Sequence, residues 1–264
     1  MEKPIILVTN DDGIVSPGIR ALVEVAQKFG DVVVVAPDSP QSATGHAITI
    51  HDPLRMQKVE VFGSIPAYQC SGTPVDCVKM AIDKILHRKP DLCVSGVNHG
   101  SNASINVIYS GTMSAAMEAA IDGIPAVGFS LLDFSFDADF TASKFYAEKI
   151  IRNMMNNGIP SDALLNVNIP RLPVDEIKGM RVCRQAIAKW EEEFDRRIDP
   201  NGKEYYWLTG NFVNNDKGDD TDIWALEHGY VSIVPVQFDL THHHGISYLN
   251  KQWNFEDDEI EKVI

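Results

Sequence analysis

A chain of 264 residues, 44% hydrophobic and 23% charged, is long enough for one sizeable α/β core with or without an appendage. Its formal net charge of -14 argues against duplex nucleic acid as a partner, because such affinity comes from Lys and Arg neutralising phosphates. No apolar run approaches the roughly 18 residues that span a bilayer, so no membrane partner is expected. An acidic protein that accepts a small anion needs a local source of positive potential, either a bound cation or free backbone N–H groups. The four cysteines, Cys70, Cys77, Cys93 and Cys183, form no CxxC pair, and Met1-Glu2-Lys3-Pro4 lacks a leader pattern; a reducing, cytoplasmic compartment is the expectation.

In chain order, Ile5-Ile6-Leu7-Val8-Thr9 reads as a first strand. Ile19, Leu22, Val23, Val25, Ala26 and Phe29 follow at helical spacing until Gly30, and Val32 to Ala36 form a second strand ended by Pro37. Ala47-Ile48-Thr49-Ile50 and Val59-Glu60-Val61-Phe62 alternate like short strands on the rim of the main sheet. Val75, Val78, Lys79, Ile82, Ile85 and Leu86 predict a helix, followed by a strand at Asp91 to Ser95. Met113, Met117, Ala120 and Ile121 predict another helix, followed by a strand at Pro125 to Ser130. The alternation predicts βαβ units around a mostly parallel sheet. From about residue 180 it fades: Tyr205 to Leu208 resembles an antiparallel strand, Asp199-Pro200-Asn201-Gly202 and Asn214 to Gly218 read as turns, and Val231 to Pro235 is a further short strand. The acidic run Glu256-Asp257-Asp258-Glu259 reads as a solvated, helix-initiating patch.

Ligands of open parallel sheets bind outside the carboxyl ends of the strands, where three oxygen-rich segments fall. They are Asn10-Asp11-Asp12-Gly13, Pro37 to Ser42, and Gly96 to Asn102. Two adjacent carboxylates in a crevice repel unless a cation lies between them or one is protonated. Carboxylate, hydroxyl and amide oxygens suit a hard cation such as Mg²⁺ or Mn²⁺. Taken alone, Asp11-Asp12-Gly13 reads first as an ordinary strand-ending turn. Ser110-Gly111-Thr112, just before a helix, offers N–H groups and hydroxyls to a phosphate, or simply caps that helix. Asn98 and Asn102 are likewise open to an Asx-turn reading. His46 and His99 are candidate proton donors near such a site, whereas His242-His243-His244 are read as surface or interface residues. Trp190, Trp207, Trp224 and Trp253 are read as packing or subunit contacts.

The combination is more specific than its parts. Asn10-Asp11-Asp12-Gly13 with Pro17-Gly18, Ala36-Pro37-Asp38 with Ser42, Ser71-Gly72-Thr73-Pro74 with Asp76-Cys77, Ser95-Gly96-Val97-Asn98 with Gly100 and Asn102, and Tyr109-Ser110-Gly111-Thr112 with Ala115-Ala116-Met117-Glu118 resemble the survival protein SurE family. The resemblance covers residues 5 to about 130 closely and continues through Thr221-Asp222, Gly229-Tyr230-Val231-Ser232 and Pro235. Thr44-Gly45-His46 departs from the family's small polar residues, and the tail runs past its usual end.

The resemblance implies a cytoplasmic hydrolase, a 5'-nucleotidase acting on nucleoside 5'- and 3'-monophosphates, with one divalent cation, Mg²⁺ or Mn²⁺, per subunit. By position, Asp11, Asp12, Ser42 and Asn98 are the metal ligands, with Asp11 and Asp12 also catalytic, while Asn102, Ser110, Gly111 and Thr112 surround the substrate phosphate. The implied fold is a single α/β domain with a Rossmann-like, mostly parallel sheet flanked by helices. Its core covers about 1–180 and 221–240, and a C-terminal oligomerisation extension, about 181–220 and 241–264, builds a homodimer or homotetramer. Two rivals fit less well. An aspartyl-phosphate phosphatase needs a nucleophilic Asp two residues before its acid-base partner, whereas Asp11 and Asp12 are adjacent, and a dinucleotide-binding oxidoreductase needs a GxGxxG turn after the first strand. A sensor that binds a nucleotide without hydrolysing it is the rival from another class.

Overall fold

Side chains of β1 (Ile5–Thr9) alternate between two apolar layers, with Ile6 and Val8 in one and Leu7 in the other. A strand apolar on both faces belongs in the middle of a sheet. The computed structural model, which describes residues 3–253, puts it there. The Glu256 to Glu259 run and the end of the expected extension lie outside the described residues.

β2 (Asp31–Pro37) and β5 (Leu92–His99) flank β1, both parallel to it. Beyond β2 lie β4 (Ala67–Cys70) and the edge strand β3 (Met56–Val59). Beyond β5 come β6 (Ala126–Leu131), β7 (Ala163–Ile169), β11 (Val231–Gln237) and β8 (Met180–Val182). Only the β3/β4 and β7/β11 pairs of this nine-stranded sheet are antiparallel. α1 (Pro17–Ala26) and α4 (Thr141–Asn157) cover the Ile6/Val8 face. α2 (Pro74–Met80), prolonged by a π-helical turn at Ala81–Ile85, and α3 (Gly111–Ile121) cover the Leu7 face. This is the expected Rossmann-like, mostly parallel sheet flanked by helices. The chain leaves β1 toward β2 on one side and returns from β4 to β5 on the other, so the sheet's switch point lies between the carboxyl ends of β1 and β5.

Two rim segments differ from the sequence reading. The strand expected over Val59 to Phe62 lies at Met56–Val59, and Ala47 to Ile50 forms no strand. Thr49 donates its backbone N–H and its hydroxyl to the Asp76 carboxylate, and Ala47 O accepts from the Thr73 hydroxyl at 2.7 Å. Its alternating apolar residues Ile48 and Ile50 are exposed, and its polar groups go to the capping box of α2 instead of a ladder.

After β7 the chain does two things. β8, α5 (Asp222–Glu227) and β11 complete the main sheet, while β9 (Ala188–Ile198) and β10 (Glu204–Asn214) leave it as an antiparallel ribbon turning at Asp199 to Gly202. The buried Asp222 carboxylate ties the ribbon's base to the core, accepting from Ala186 N at 2.9 Å and Ser104 N at 2.7 Å. α6 (His243–Gln252) has no buried residue, and the three histidines at its start are exposed. The four cysteines are free and buried, and among the described residues no helix is long and apolar enough to cross a membrane.

Candidate active site

The turn after β1 is closed from within. Asn10 Nδ2 donates to Gly13 O at 3.0 Å and to Ser16 Oγ at 2.8 Å, and Gly13, at φ 92°, takes a left-handed conformation that favours glycine. Ile14 N donates to Pro37 O and Gln41 N to Asp11 O, each within 2.9 Å, so the segment after β2 is stitched to the segment after β1. Ser42, the residue after Gln41, is exposed beside this seam.

β5 brings up the other wall. A Cβ on Gly18, in the first turn of α1, would lie 1.9 Å from Val97 O, so only glycine lets that helix seat against the strand end. His99 then donates through its backbone N–H at 3.2 Å and through Nδ1 at 3.0 Å to Asp12 Oδ2, orienting that carboxylate. Asn98, the preceding residue, donates to Gly100 O at 2.9 Å. His99 Nε2 is buried without a hydrogen-bond partner, and its ring meets Phe140 edge-on at 5.2 Å.

The third wall is the N-terminus of α3. Ser110 caps it, accepting from Met113 N at 3.0 Å, and the Thr112 hydroxyl donates to Asp11 Oδ1. A Cβ on Gly111 would stand 2.7 Å from Asp11 Cβ. The first turn of a helix, with its unpaired N–H groups and positive dipole end, therefore lies directly against the Asp11 carboxylate. Asp11 is 6% exposed. Burial raises its pKa to about 6; the Thr112 hydroxyl pulls the other way and the Asp12 charge adds to the rise.

The structure thus sets Gly111 and Thr112 directly against Asp11, with Asp12 and Ser110 beside them as chain neighbours. Asn98 and Ser42 join them through their chain neighbours His99 and Gln41. Asn102 has a different set of partners. Its amide donates to Ser130 Oγ at 2.8 Å, its N–H to Asn168 Oδ1 at 2.8 Å, and its carbonyl accepts from Asn166 at 2.8 Å. Asn166 and Asn168 were not singled out from sequence; their signal was two amides at i and i+2 inside the buried run Ala163 to Ile169. Glu118 was missed as an anchor: nearly buried on α3, it accepts from His46 Nε2 at 2.8 Å and from Lys79 and holds the loop that carries Ser42.

A cation here has the Asp11 and Asp12 carboxylates and otherwise neutral oxygens to bind, and no group of three or more His, Cys, Asp or Glu among the described residues is arranged to hold a metal. That set fits a hard divalent ion. The two adjacent carboxylates, one of them buried at the cost of a raised pKa, are the arrangement a cation relieves.

Sheet order, switch-point crevice and oxygen-rich rim define a doubly wound α/β protein whose acidic pair lies where such folds bind phosphorylated ligands. The model of the survival protein SurE family matches residues 6–192. The 5'-nucleotidase SurE of Christiangramia forsetii is 64% identical over 258 residues, 97% of this chain and 99% of that protein. That of Flavobacterium psychrophilum is 62% identical over 251 residues, covering 95% and 98%. The crystal structure of the SurE protein from Aquifex aeolicus superposes with a TM-score of 0.81 at 41% identity, covering 94% of this chain and 100% of that one. The chain belongs to the survival protein SurE family.

Proposed function

We propose that this protein is a divalent-cation-dependent phosphohydrolase that releases phosphate from nucleoside 5'-monophosphates, and from the 3'-isomers. The carrying observation is the shared wall at Asp11, where the carboxylate that would hold a cation touches the helix N-terminus that would hold a phosphate. The relatives' name, 5'-nucleotidase, supports the substrate class. Asp11, Asp12, Ser42 and Asn98 would hold Mg²⁺ or Mn²⁺, one per subunit. When bound, the ion supplies Lewis-acid stabilisation of the phosphoryl oxygens and of an attacking water. Ser110, Gly111 and Thr112 would present backbone N–H groups and the Ser110 hydroxyl to the phosphate, and Asn102 would complete this set. Water adds to phosphorus, the P–O ester bond breaks, and the nucleoside leaves with a proton as inorganic phosphate forms. His99 keeps Asp12 oriented during this step by its two hydrogen bonds.

The same reading makes the protein a cytoplasmic homodimer or homotetramer, supported by its free buried thiols and by the exposed apolar residues after residue 180. Phosphate release from a nucleotide panel, after chelation and after adding back Mn²⁺ or Mg²⁺, tests the activity; full turnover by the chelated protein would overturn it. Asp12→Asn tests the site. The variant is expected to lose activity by orders of magnitude. Its metal-induced rise in Tm is expected to shrink while its metal-free Tm holds or climbs. An active variant with an undiminished metal shift means Asp12 is not a ligand.

A further inference from the structure

We propose that Phe134 is the platform on which the base of the substrate nucleotide stacks, and therefore the residue that sets the site's base preference; this rests on the nucleotidase reading above. The loop after β6 is pinned at both ends of its turn. Leu132 N donates to Ile169 O at 2.9 Å. The buried Asp133 carboxylate accepts from Ser135 N at 3.0 Å and pairs with Arg171 at 3.1 Å, and Ala138 N donates to Ser135 O. That rigid turn presents Phe134 at 84% exposure, an apolar ring held out in water at the carboxyl edge of the sheet. The ring is not loose. It packs on Gly100, where a Cβ would lie 2.4 Å from its Cε1, so the absent side chain of Gly100 is what gives it a seat.

Gly100 directly follows His99, the residue that holds Asp12, and consecutive Cα atoms are about 3.8 Å apart. Phe134 thus stands over the strand-end loop, seated on the residue that follows the one holding Asp12. The residues assigned above account for cation and phosphate only; none offers an aromatic face to a base. A base is neutral and flat, and stacking on an exposed, pre-positioned ring is the recognition open to it without a specific hydrogen-bond partner. Purines, with the larger ring, gain most.

The test is steady-state hydrolysis by the metal-loaded wild type and by Phe134→Leu, which keeps apolar bulk on Gly100 but removes the π face, and Phe134→Trp, which enlarges it. Inorganic phosphate serves as a base-free competitor. Phe134→Leu is expected to raise KM for adenosine and guanosine monophosphates about tenfold. It should raise KM less for the pyrimidine nucleotides, leave kcat within about twofold, and not move the inhibition constant of phosphate. Phe134→Trp should restore KM. Phe136→Leu, 77% exposed two residues on, and Tyr109→Leu, exposed just before Ser110, are controls expected to leave KM unchanged. An unchanged nucleotide KM in Phe134→Leu overturns the proposal. So does a phosphate constant that rises in step with KM, or an equal KM effect in either control. A wild type that hydrolyses no nucleoside monophosphate with either metal overturns the nucleotidase reading, and this proposal with it.

Discussion

Asp11 shows how much the fold spends to place one charge. Its carboxyl is raised to about pKa 6 chiefly by burial, against 3.8 for an unperturbed Asp. The folded, metal-free chain therefore binds this proton more tightly than the unfolded chain. The resulting stability is fully present below about pH 4 and is lost as pH rises through about 6, with a magnitude on the order of 3 kcal/mol. Melts of metal-free wild type and Asp11→Asn between pH 4 and 7 should show the wild type losing stability relative to the variant across that window. A pH-independent difference would contradict the raised pKa. A cation reverses the sign of the effect, because it must displace the same proton. Metal-supported turnover is thus expected to fall as pH drops below about 6 and to recover in part with excess Mn²⁺.

The two elements that meet at Asp11 are held together by what they lack. Gly111→Ala would ordinarily favour a helix by up to about 1 kcal/mol. Here the new Cβ would lie 2.7 Å from Asp11 Cβ and 3.2 Å from Pro74 Cγ, so α3 must move off the crevice. The expected result is turnover down about a hundredfold with a weakened metal shift in Tm; a more stable variant of normal activity would show that the contact is slack. Such elements were legible from sequence where the signal is local. β1, β2 and α1 follow from apolar spacing, and the cap at Ser110 and the turn at Asp199 to Gly202 from residue type. What could not be read is what long-range partners decide. Thr49 looks like a strand residue until Asp76, 27 positions on, takes its N–H and hydroxyl. Likewise His99 is a candidate proton donor by type, but its bond to Asp12 spans 87 positions. Asn102 carries the same loop signature as Asn98, yet its amide is directed at Ser130 by a strand whose polar positions only the fold explains.

At the scale of the whole molecule, the ribbon β9/β10 and α6 carry apolar surface that one copy of the chain leaves uncovered. Phe194 and Leu208 face each other across the ribbon, 67% and 61% exposed. Light scattering at micromolar concentration is expected to find an oligomer, and the double change Phe194→Lys with Leu208→Lys is expected to reduce it to a monomer with unaltered far-UV circular dichroism. A monomeric wild type, or an unshifted double variant, removes the ribbon from the assembly. The sheet order carries a different consequence, for the chain while it is being made. β2 is the next strand after β1, but the second edge of β1 is completed only by Leu92–His99, after two more strands and α2 have been synthesised. Until then a strand apolar on both faces stands open, the condition under which nascent chains capture one another. A chain released after α2 but before β5 is expected to aggregate, and one that includes β5 and β6 is expected to stay soluble, which sedimentation of the two truncated chains checks. The crevice is bounded by that same β1/β5 joint, so the protein acquires its chemistry only after the most hazardous stage of its own synthesis has passed.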